Sequence, residues 1–457
     1  MTRTMSCARR RTPSSRATGL GRLMAAAAVA ACAAALAQEP AGAPAAQAPV
    51  QVTVTATSLA AVPTYTLRAA VADALAHSPT VAAAGADRVT AGYLRETAEW
   101  GRYPTLSAEI APGVFSSQAR SDSRLLRLDQ PLWAGGRIDG AINQAQAQER
   151  SAQLGETEAR RGIVEQTAVA YLAWSGAQER LRIAAEGRTV FERLLAYVKR
   201  REAAGAAARS DISVAQARLA STSVQREQLL AESERARSDL QTLVAGSVAG
   251  EPLMLEVPGV ALPGADTAEA EYLSRSNVVA QRSAEVEAAR AAAAVRRGES
   301  MPRLSLRLER QQNVSAGVSV PSDNRVMLAL SFTPEAGLAA FSSVKAAQSR
   351  IEAAQDQVRV AELDVRQRAR THLTDQQSAE RQIAELQPQI ESLQFTADSY
   401  MRQFEAGRRS WIEVLNTFRE VLDTRVALSR ARTQHAQSAL HLMGNTGALS
   451  SWIETTP

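Results

Sequence analysis

One spacing, found at two places, constrains this chain more than any other feature. Gly135 and Gly337 lie 202 positions apart, and a long helical pattern begins after each of them. Gly205 and Gly407 lie at the far ends of these two patterns, and they are again 202 positions apart. Because equal spacing over such a distance leaves no room for an insertion, the two long helices must have the same length. The sequence therefore predicts two tandem structural repeats.

Helix dominates both repeats. The helical pattern over 137–204 contains no proline, and an unbroken helix of that length would be about 100 Å long. A further helix is predicted after each glycine, over 210–244 and over 410–443. Aromatic residues make up only 4% of the chain, so much of the apolar content is alanine, which suits helices packed closely along seams. A globular domain has no room for helices of this length.

Stretches with a period of two residues precede each long helix. Apolar and polar residues alternate over 105–110 and 126–129 in the first repeat, and over 303–309 and 326–332 in the second. This alternation predicts half-buried strands in pairs, so the fold class is mainly α with a small β part. Four strands cannot close a barrel of useful width, and lipid does not tolerate open sheet edges. If these strands cross a membrane, the chain must therefore form an oligomer. Three copies would supply twelve strands, which is wide enough for a channel, whereas a barrel of eight strands would fill with side chains.

Residues 1–37 have the features of a secretory leader. A basic start is followed by an apolar run over 23–37, and a small-x-small cleavage signal ends at Ala37. Both cysteines lie in this leader, so a chain cut after Ala37 has no thiol or disulfide chemistry. The residues from Val29 to Cys32 resemble a loose lipoprotein cleavage box. Lipidation of Cys32 is therefore the alternative to ordinary cleavage.

The order of these segments predicts the domain organisation, with each repeat running helix, strand, strand, long helix, helix. Before the strands, two helices are predicted over 66–76 and about 79–101 in the first repeat, and one helix over 267–298 in the second. A lead-in rich in Ala, Pro and Gln follows the leader, and a Gly/Pro-rich linker joins the repeats. The predicted segments are the leader over 1–37, the lead-in over 38–64, the first repeat over 65–246 with its β-hairpin at about 103–132, the linker over 247–265, the second repeat over 266–448 with its β-hairpin at about 301–333, and a C-terminal tail over 449–457.

Charge and composition argue against several classes of function. The net charge is +5, but the arginines that carry it alternate with Glu and Asp along helices, so we expect no nucleic-acid partner. The four histidines, His77, His372, His435 and His441, are scattered, and none has metal-ligand spacing with another ligand. No glycine loop for phosphate and no nucleophile motif occurs in the sequence. We therefore expect neither an enzyme nor a cofactor.

A set of short motifs carries a family resemblance. In chain order they are Thr66-Leu67-x-x-Ala70-Val71-x-x-Ala74-Leu75-x-x-Ser78-Pro79-x-Val81, Tyr103-Pro104-x-Leu106, Gln130-Pro131-Leu132-Trp133-x-Gly135-Gly136-Arg137, Ala170-Tyr171-Leu172, the paired Ala-Gly turns, and Glu413-Val414-Leu415. In this order, and in two repeats, they resemble the TolC family of outer-membrane efflux and secretion channels over nearly all of residues 65–448.

The resemblance implies an assembly and a location. It implies a homotrimer with a twelve-stranded β-barrel in the outer membrane of a Gram-negative bacterium and a twelve-helix tunnel in the periplasm. It also implies three kinds of partner: outer-membrane lipid, a periplasmic adaptor protein, and an inner-membrane ABC transporter or proton-driven pump.

The resemblance places a gate at the helix–helix turns around Gly205 and Gly407. By register, the gate residues are Ser210, Asp211, Phe404, Arg409, Glu413 and Asn416. Phe404 replaces an aromatic that usually carries a hydroxyl, and Asn416 replaces a second acid. A three-fold axis would turn Glu413 into a ring of carboxylates that selects cations.

An Arg409–Asp211 pair across subunits or repeats would tie the turns together. If well exposed, it would contribute only about 0–1 kcal/mol, which the binding of a partner can overcome. Both residues are also explained as ordinary helix-end charges, because an acid near a helix start is favoured by capping and by the helix dipole.

For the whole chain we expect a passive export duct. Ordinary leader cleavage would remove Cys32, and this favours type I secretion of a protein, such as a toxin or adhesin, over small-molecule export. Efflux of small molecules with a proton-driven pump is the alternative. A periplasmic coiled-coil adaptor or scaffold is the alternative from a different class, but a single rod does not explain two symmetric strand pairs.

Overall fold

A computed structural model describes residues 64–114, 120–255, 257, 265–315, 318–319, 321–333 and 339–455. The predicted leader over 1–37, all but the last residue of the predicted lead-in, and the candidate lipidation residue Cys32 lie outside the described residues. Among the helices within these ranges, none has both the length and the apolar character that crossing a membrane requires.

The first repeat has two short helices, two strands and two long helices. In chain order its elements are β1 (Thr64–Tyr65), α1 (Leu67–His77), α2 (Pro79–Trp100), β2 (Thr105–Val114), β3 (Arg120–Trp133), α3 (Arg137–Ala203) and α4 (Arg209–Val244). The Ser78 hydroxyl accepts a hydrogen bond from the backbone N–H of Val81 and so caps α2. Pro79 is the first residue of α2, where its missing N–H has no cost, and it ends α1.

The second repeat has the same order of elements. They are β4 (Glu251–Pro252), α5 (Ala265–Arg275), α6 (Asn277–Glu299), β5 (Arg303–Ser315), β6 (Val318–Ser319), β7 (Asp323–Ser331), α7 (Ala339–Glu405) and α8 (Trp411–Thr446), followed by α9 (Ala448–Thr455). Helices α3 and α7 each contain 67 residues, and α4 and α8 each contain 36. The prediction of two repeats with long helices of equal length is confirmed.

The structure corrects the sequence prediction at two places. The pattern over 267–298, predicted as one helix, breaks at Ser276, whose hydroxyl accepts a 3.3 Å hydrogen bond from the N–H of Val279 and caps α6. The residues over 449–457, predicted as a tail, contain α9 up to Thr455, because Leu449 and Ile453 are buried on one side of that helix.

The long strands of both repeats form one antiparallel sheet, whereas β1 and β4 pair in parallel as a separate two-stranded sheet. The long strands lie in the order β2-β3-β5-β7, and β6 pairs with the end of β5. The contact between β3 and β5 joins the two repeats and places Leu128 opposite Leu308. A bulge in β3 between Pro131 and Trp133 shifts the register near the helical end of the sheet.

One face of this sheet is apolar and exposed. Leu106, Ile110, Val326 and Leu330 on this face are each at least 67% exposed. The predicted alternation is present, but the expectation of half-buried strands is wrong for the single chain, because no described element covers this face. An uncovered apolar face of this size needs an apolar environment outside the chain.

The opposite face of the sheet carries ion pairs between the repeats. Arg127 lies opposite Glu309, and their side chains are 2.7 Å apart. Arg307 lies opposite Asp129 at 2.8 Å. Opposite charges directly across two strands stabilise the pairing, so these two pairs help to fix the register between β3 and β5.

The helices bury two main apolar clusters. One surrounds Tyr171 in the middle of α3 and includes residues of α1, α4, α8 and α9. The other surrounds the turns at the far ends of the long helices and includes Phe191, Trp411 and Leu415. The second cluster lies directly beneath the candidate gate.

Candidate functional site

The two helix–helix turns have the same backbone geometry. Gly205 and Gly407 have φ angles of 72° and 69°, in the left-handed region that favours glycine. The N–H of Ala206 donates to the carbonyl of Arg201 at 2.8 Å, and the N–H of Arg408 donates to that of Gln403 at the same distance. These bonds satisfy carbonyls that the helix ends leave free. The predicted role of both glycines as helix-turn residues agrees with this geometry.

Phe404 lies in an aromatic cluster beneath the turns and does not line an opening in the single chain. Its ring centroid is 4.8 Å from that of Trp411 and 6.4 Å from that of Tyr197. Phe404 is buried, as is Trp411, the first residue of α8. The sequence prediction missed Trp411, although a large aromatic directly after the second glycine turn was visible in the sequence.

Arg409 pairs with Glu413 on its own helix. Its guanidinium lies 3.2 Å from the carboxylate of Glu413, and it stacks over the ring of Tyr400 at 3.9 Å from the centroid. The backbone N–H and the hydroxyl of Ser410 also donate to Glu413. These hydrogen bonds, with the charge of Arg409, lower the pKa of the Glu413 carboxyl.

Asp211 is not the partner of Arg409 within the chain. It is the third residue of α4, and its N–H donates to the carbonyl of Ala208 at 3.0 Å. The expected pair across repeats is therefore absent from the described residues, because Glu413, four positions along the same helix, is the nearer carboxylate for Arg409. Ser210 is exposed beside Asp211. A pair across subunits stays a prediction.

Arg201 connects the two turns, and the sequence prediction did not include it. Its guanidinium donates to the carbonyls of Phe404 and Glu405 at 3.4 and 3.5 Å, and to the carbonyl of Ala206 in its own turn at 3.4 Å. It also lies 4.8 Å from the centroid of the Phe404 ring. A cation at a helix end is favoured by the free carbonyls there. The sequence feature that could have identified Arg201 is the pair of basic residues, Arg200 and Arg201, in the last turn of α3.

Asn416 also links the two repeats near the turns. Its side-chain oxygen accepts a 2.9 Å hydrogen bond from Arg218 on α4. About two turns further from the gate, Gln225 of α4 donates to Asp423 of α8 at 3.3 Å. The structure thus brings α4 and α8 together through exposed polar bonds, which are individually weak.

Two histidines that the sequence places far apart come together away from the gate. The rings of His372 on α7 and His441 on α8 stack with centroids 4.3 Å apart, and Nδ1 of His441 is 2.6 Å from the carboxylate of Glu165 on α3. Burial, and then the neighbouring His441, lower the pKa of His372. Within the described ranges, no three His, Cys, Asp or Glu side chains are arranged to hold a metal ion.

Comparison with known proteins agrees with this architecture. The outer membrane efflux protein family matches residues 70–246 and 270–448, which are most of the two repeats. No curated protein matched the chain.

Solved structures with the same fold have low sequence identity to the chain. The outer-membrane channel OprN superposes with a TM-score of 0.75 at 22% identity, over 84% of this chain and 90% of that one. VceC, an outer membrane protein of Vibrio cholerae, gives 0.74 at 16% identity, over 83% and 96% of the two chains. The CmeC outer membrane channel of Campylobacter jejuni gives 0.72 at 14% identity, over 85% and 88%.

The family consists of transport channels and not of enzymes, and its members work as the outer-membrane part of tripartite systems. The match covers both repeats, including the strand pairs and the long helices that the sequence predicted. This chain therefore belongs to the outer membrane efflux protein family, and it is an efflux channel of the Gram-negative outer membrane with a large periplasmic part.

Proposed function

We propose that three copies of this chain close a continuous export duct, with twelve strands in the outer membrane and the long helices in the periplasm. The observation that carries this proposal is the sheet β2-β3-β5-β7, which has one exposed apolar face and one face with ion pairs. Among the described residues, β2 and β7 have a strand neighbour on one side only. Lipid requires such edges to be paired, and joining three copies edge to edge pairs them all.

The dimensions of the apolar face support this proposal. Trp100, Tyr103, Trp133 and Phe332 lie near the helical end of the sheet, and each is more than half exposed. From Phe332, the residue after β7, back to Asn324 the chain covers roughly 27 Å at about 3.4 Å per residue. At a barrel tilt of about 35–45° this corresponds to roughly 19–22 Å of height. Membrane barrels have an apolar band about 25 Å tall, flanked by aromatic residues.

The gate at the periplasmic end is the second part of the proposal. Arg201 holds the two turns of one chain together, so the exposed Ser210 and the partly exposed Asp211 are available to the turns of a neighbouring copy. Exposed polar contacts of this kind contribute about 0–1 kcal/mol each, so binding of an adaptor can open them. Three Glu413 carboxylates, kept charged by Ser410, would favour cations at the constriction.

Protein is the cargo class that we propose first. The support is the sequence around Ala37, which favours ordinary leader cleavage and loss of Cys32. A periplasmic adaptor and an inner-membrane ABC transporter would then supply contact and energy, since the chain has no nucleotide-binding motif of its own. Small-molecule efflux with a proton-driven pump is the second candidate, because the matching family is named for efflux.

Two experiments test the duct and its cargo. Purified protein in planar bilayers should form cation-preferring channels, and the protein should stay in the membrane fraction after carbonate washing. A carbonate-soluble protein without channel activity would instead be a periplasmic scaffold. For the cargo, deletion of the gene should remove a protein from the culture medium. If the secreted proteins are unchanged and the deletion strain is more sensitive to toxic compounds, small-molecule efflux is the function and protein secretion is not.

A further inference from the structure

A polar patch interrupts the apolar face of the sheet near its hairpin end. The strand register places Arg124 of β3 opposite Gln312 of β5, and it places Arg310 of β5 opposite Asn324 of β7. All four share the face of Leu126, which lies opposite Arg310 on β3. Each of these four polar side chains can donate a hydrogen bond. Asp122, two residues before Arg124 on β3, shares this face by register, and among the acidic residues with a described side chain none lies on it.

The two arginines of this patch differ from arginines on the opposite face. There, Arg127, Arg307 and Arg325 each have a carboxylate within 2.8 Å. Arg124 and Arg310 are exposed, and neither has a carboxylate partner among the side chains that the structure describes. They are therefore positive charges on the apolar face with no carboxylate partner among the described side chains, and an anion from outside the chain would compensate them.

The positions of the two side chains suit a shared anion. Arg124 and Arg310 lie on adjacent strands and are diagonal neighbours, which places them about 7–8 Å apart. Long guanidinium side chains at that separation can converge on one phosphate, to which each donates two hydrogen bonds. The two amide side chains, Gln312 and Asn324, flank the arginines and can donate to the same group.

The depth of the patch matches a lipid headgroup. Arg310 lies six residues along β5 from Leu304, which is about 20 Å along the strand or roughly 14–17 Å of height at a barrel tilt of about 35–45°. It lies opposite Asn324, at the end of the apolar band away from the aromatic residues. A cation on the lipid-facing side costs about 2–4 kcal/mol at mid-bilayer but only about 0–1 kcal/mol near the surface. The arginines therefore lie at the depth of outer-leaflet headgroups.

We propose that Arg124 and Arg310 bind the phosphorylated headgroup of an anionic lipid in the outer leaflet of the outer membrane. The acyl chains of this lipid lie along Leu126, Leu308 and Val326, on the same face of the sheet. Three copies of the chain carry three such sites. The inference rests on the proposed function, because it requires the sheet to span the membrane.

Native mass spectrometry of the assembled protein in neutral phosphatidylcholine nanodiscs tests this site. The probe is lipid A, a bisphosphorylated glycolipid, and its dephosphorylated form is the matched ligand control. Wild-type protein should retain lipid A at least tenfold better than the dephosphorylated form. R124Q/R310Q should lose this preference, whereas R325Q, an arginine of the same sheet on the opposite face, should keep it.

Each outcome bears on the proposal. Equal lipid A preference in wild type and R124Q/R310Q overturns the site. If the double variant does not assemble, the single variants R124Q and R310Q are tested in its place. Each should bind lipid A several-fold less selectively than wild type. An unchanged preference for lipid A in both single variants again overturns the site. Wild-type protein that inserts but shows no preference for the phosphorylated form overturns this inference alone. Wild-type protein that does not insert at all overturns the proposed duct as well.

Discussion

The hydroxyl of Tyr171, halfway along α3, donates a 2.7 Å hydrogen bond to the backbone carbonyl of Tyr65 in β1. The same hydroxyl accepts a 2.8 Å hydrogen bond from the N–H of Leu253, directly after β4. Tyr171 is fully buried. One side chain thus fastens the parallel strands β1 and β4, and with them the start of each repeat, to the longest helix of the first repeat.

Tyr171→Phe should lower the stability of the protein by about 1–3 kcal/mol, because it leaves a partly buried carbonyl and a partly buried N–H without the hydroxyl that binds them. Thermal unfolding of the detergent-solubilised protein measures this loss. Tyr93→Phe is the matched control, since Tyr93 is 67% exposed on α2. Equal melting temperatures for wild type and Tyr171→Phe would contradict the proposed role of the hydroxyl.

Two glycines of α3 should respond oppositely to alanine. A Cβ atom at Gly176 would lie 2.1 Å from the hydroxyl oxygen of Thr433 on α8, whereas a Cβ at Gly162 would meet nothing within 4 Å. Gly176→Ala should force α3 and α8 apart and cost about 1–3 kcal/mol. Gly162→Ala should stabilise the helix by about 0.5–1 kcal/mol. Denaturant unfolding of the two variants checks the signs, and a destabilised Gly162→Ala protein would show that this position is also packed.

Loss of the gate arginines should open the channel. Arg409→Ser removes the stack on Tyr400 and the pair with Glu413, and Arg201→Gln removes the contacts between the two turns. Each substitution should raise single-channel conductance or open probability in planar bilayers. Arg188→Gln is the control, since Arg188 forms an exposed pair with Glu192 within α3, away from the turns. Unchanged conductance and open probability in both gate variants would reject the gate.

His372 should make the protein less stable in mild acid. Burial and the stacked His441 lower the pKa of His372 in the folded protein, so the unfolded chain binds a proton at higher pH than the folded chain does. Stability should therefore fall as the pH drops below about 6.5, the ordinary pKa of histidine. Melting temperatures at pH 8.0 and pH 5.5 measure this difference.

His372→Gln should reduce this dependence on pH, because the glutamine carries no proton to exchange. His77→Gln should not, because His77 is exposed on α1. An equally steep fall in the His372→Gln protein would assign the acid sensitivity to other groups.

Local patterns predicted the elements, but not the contacts between them. Gly205 and Gly407 mark the ends of the long helices in sequence and in structure, because a positive φ favours glycine and glycine is visible in the sequence. The break at Ser276 was missed because no proline follows it, whereas Pro79 follows Ser78 in the first repeat. A serine alone is compatible with the middle of a helix.

Side-chain partners at the gate were predicted less well. The sequence offers both Asp211 and Glu413 as partners for Arg409, and only the folded geometry shows that Glu413 binds it. The role of Arg201 depends on carbonyls that lie more than 200 positions away in the sequence. Such contacts have no periodic signal, since they depend on how two turns are placed side by side.

The pairing of β3 with β5 has a consequence for symmetry. Within the chain, the last long strand of the first repeat lies beside the first strand of the second repeat. In a closed ring of three chains, β7 of one copy would lie beside β2 of the next, which repeats the same relationship. The ring would then contain six quasi-equivalent units, related by a pseudo-sixfold axis.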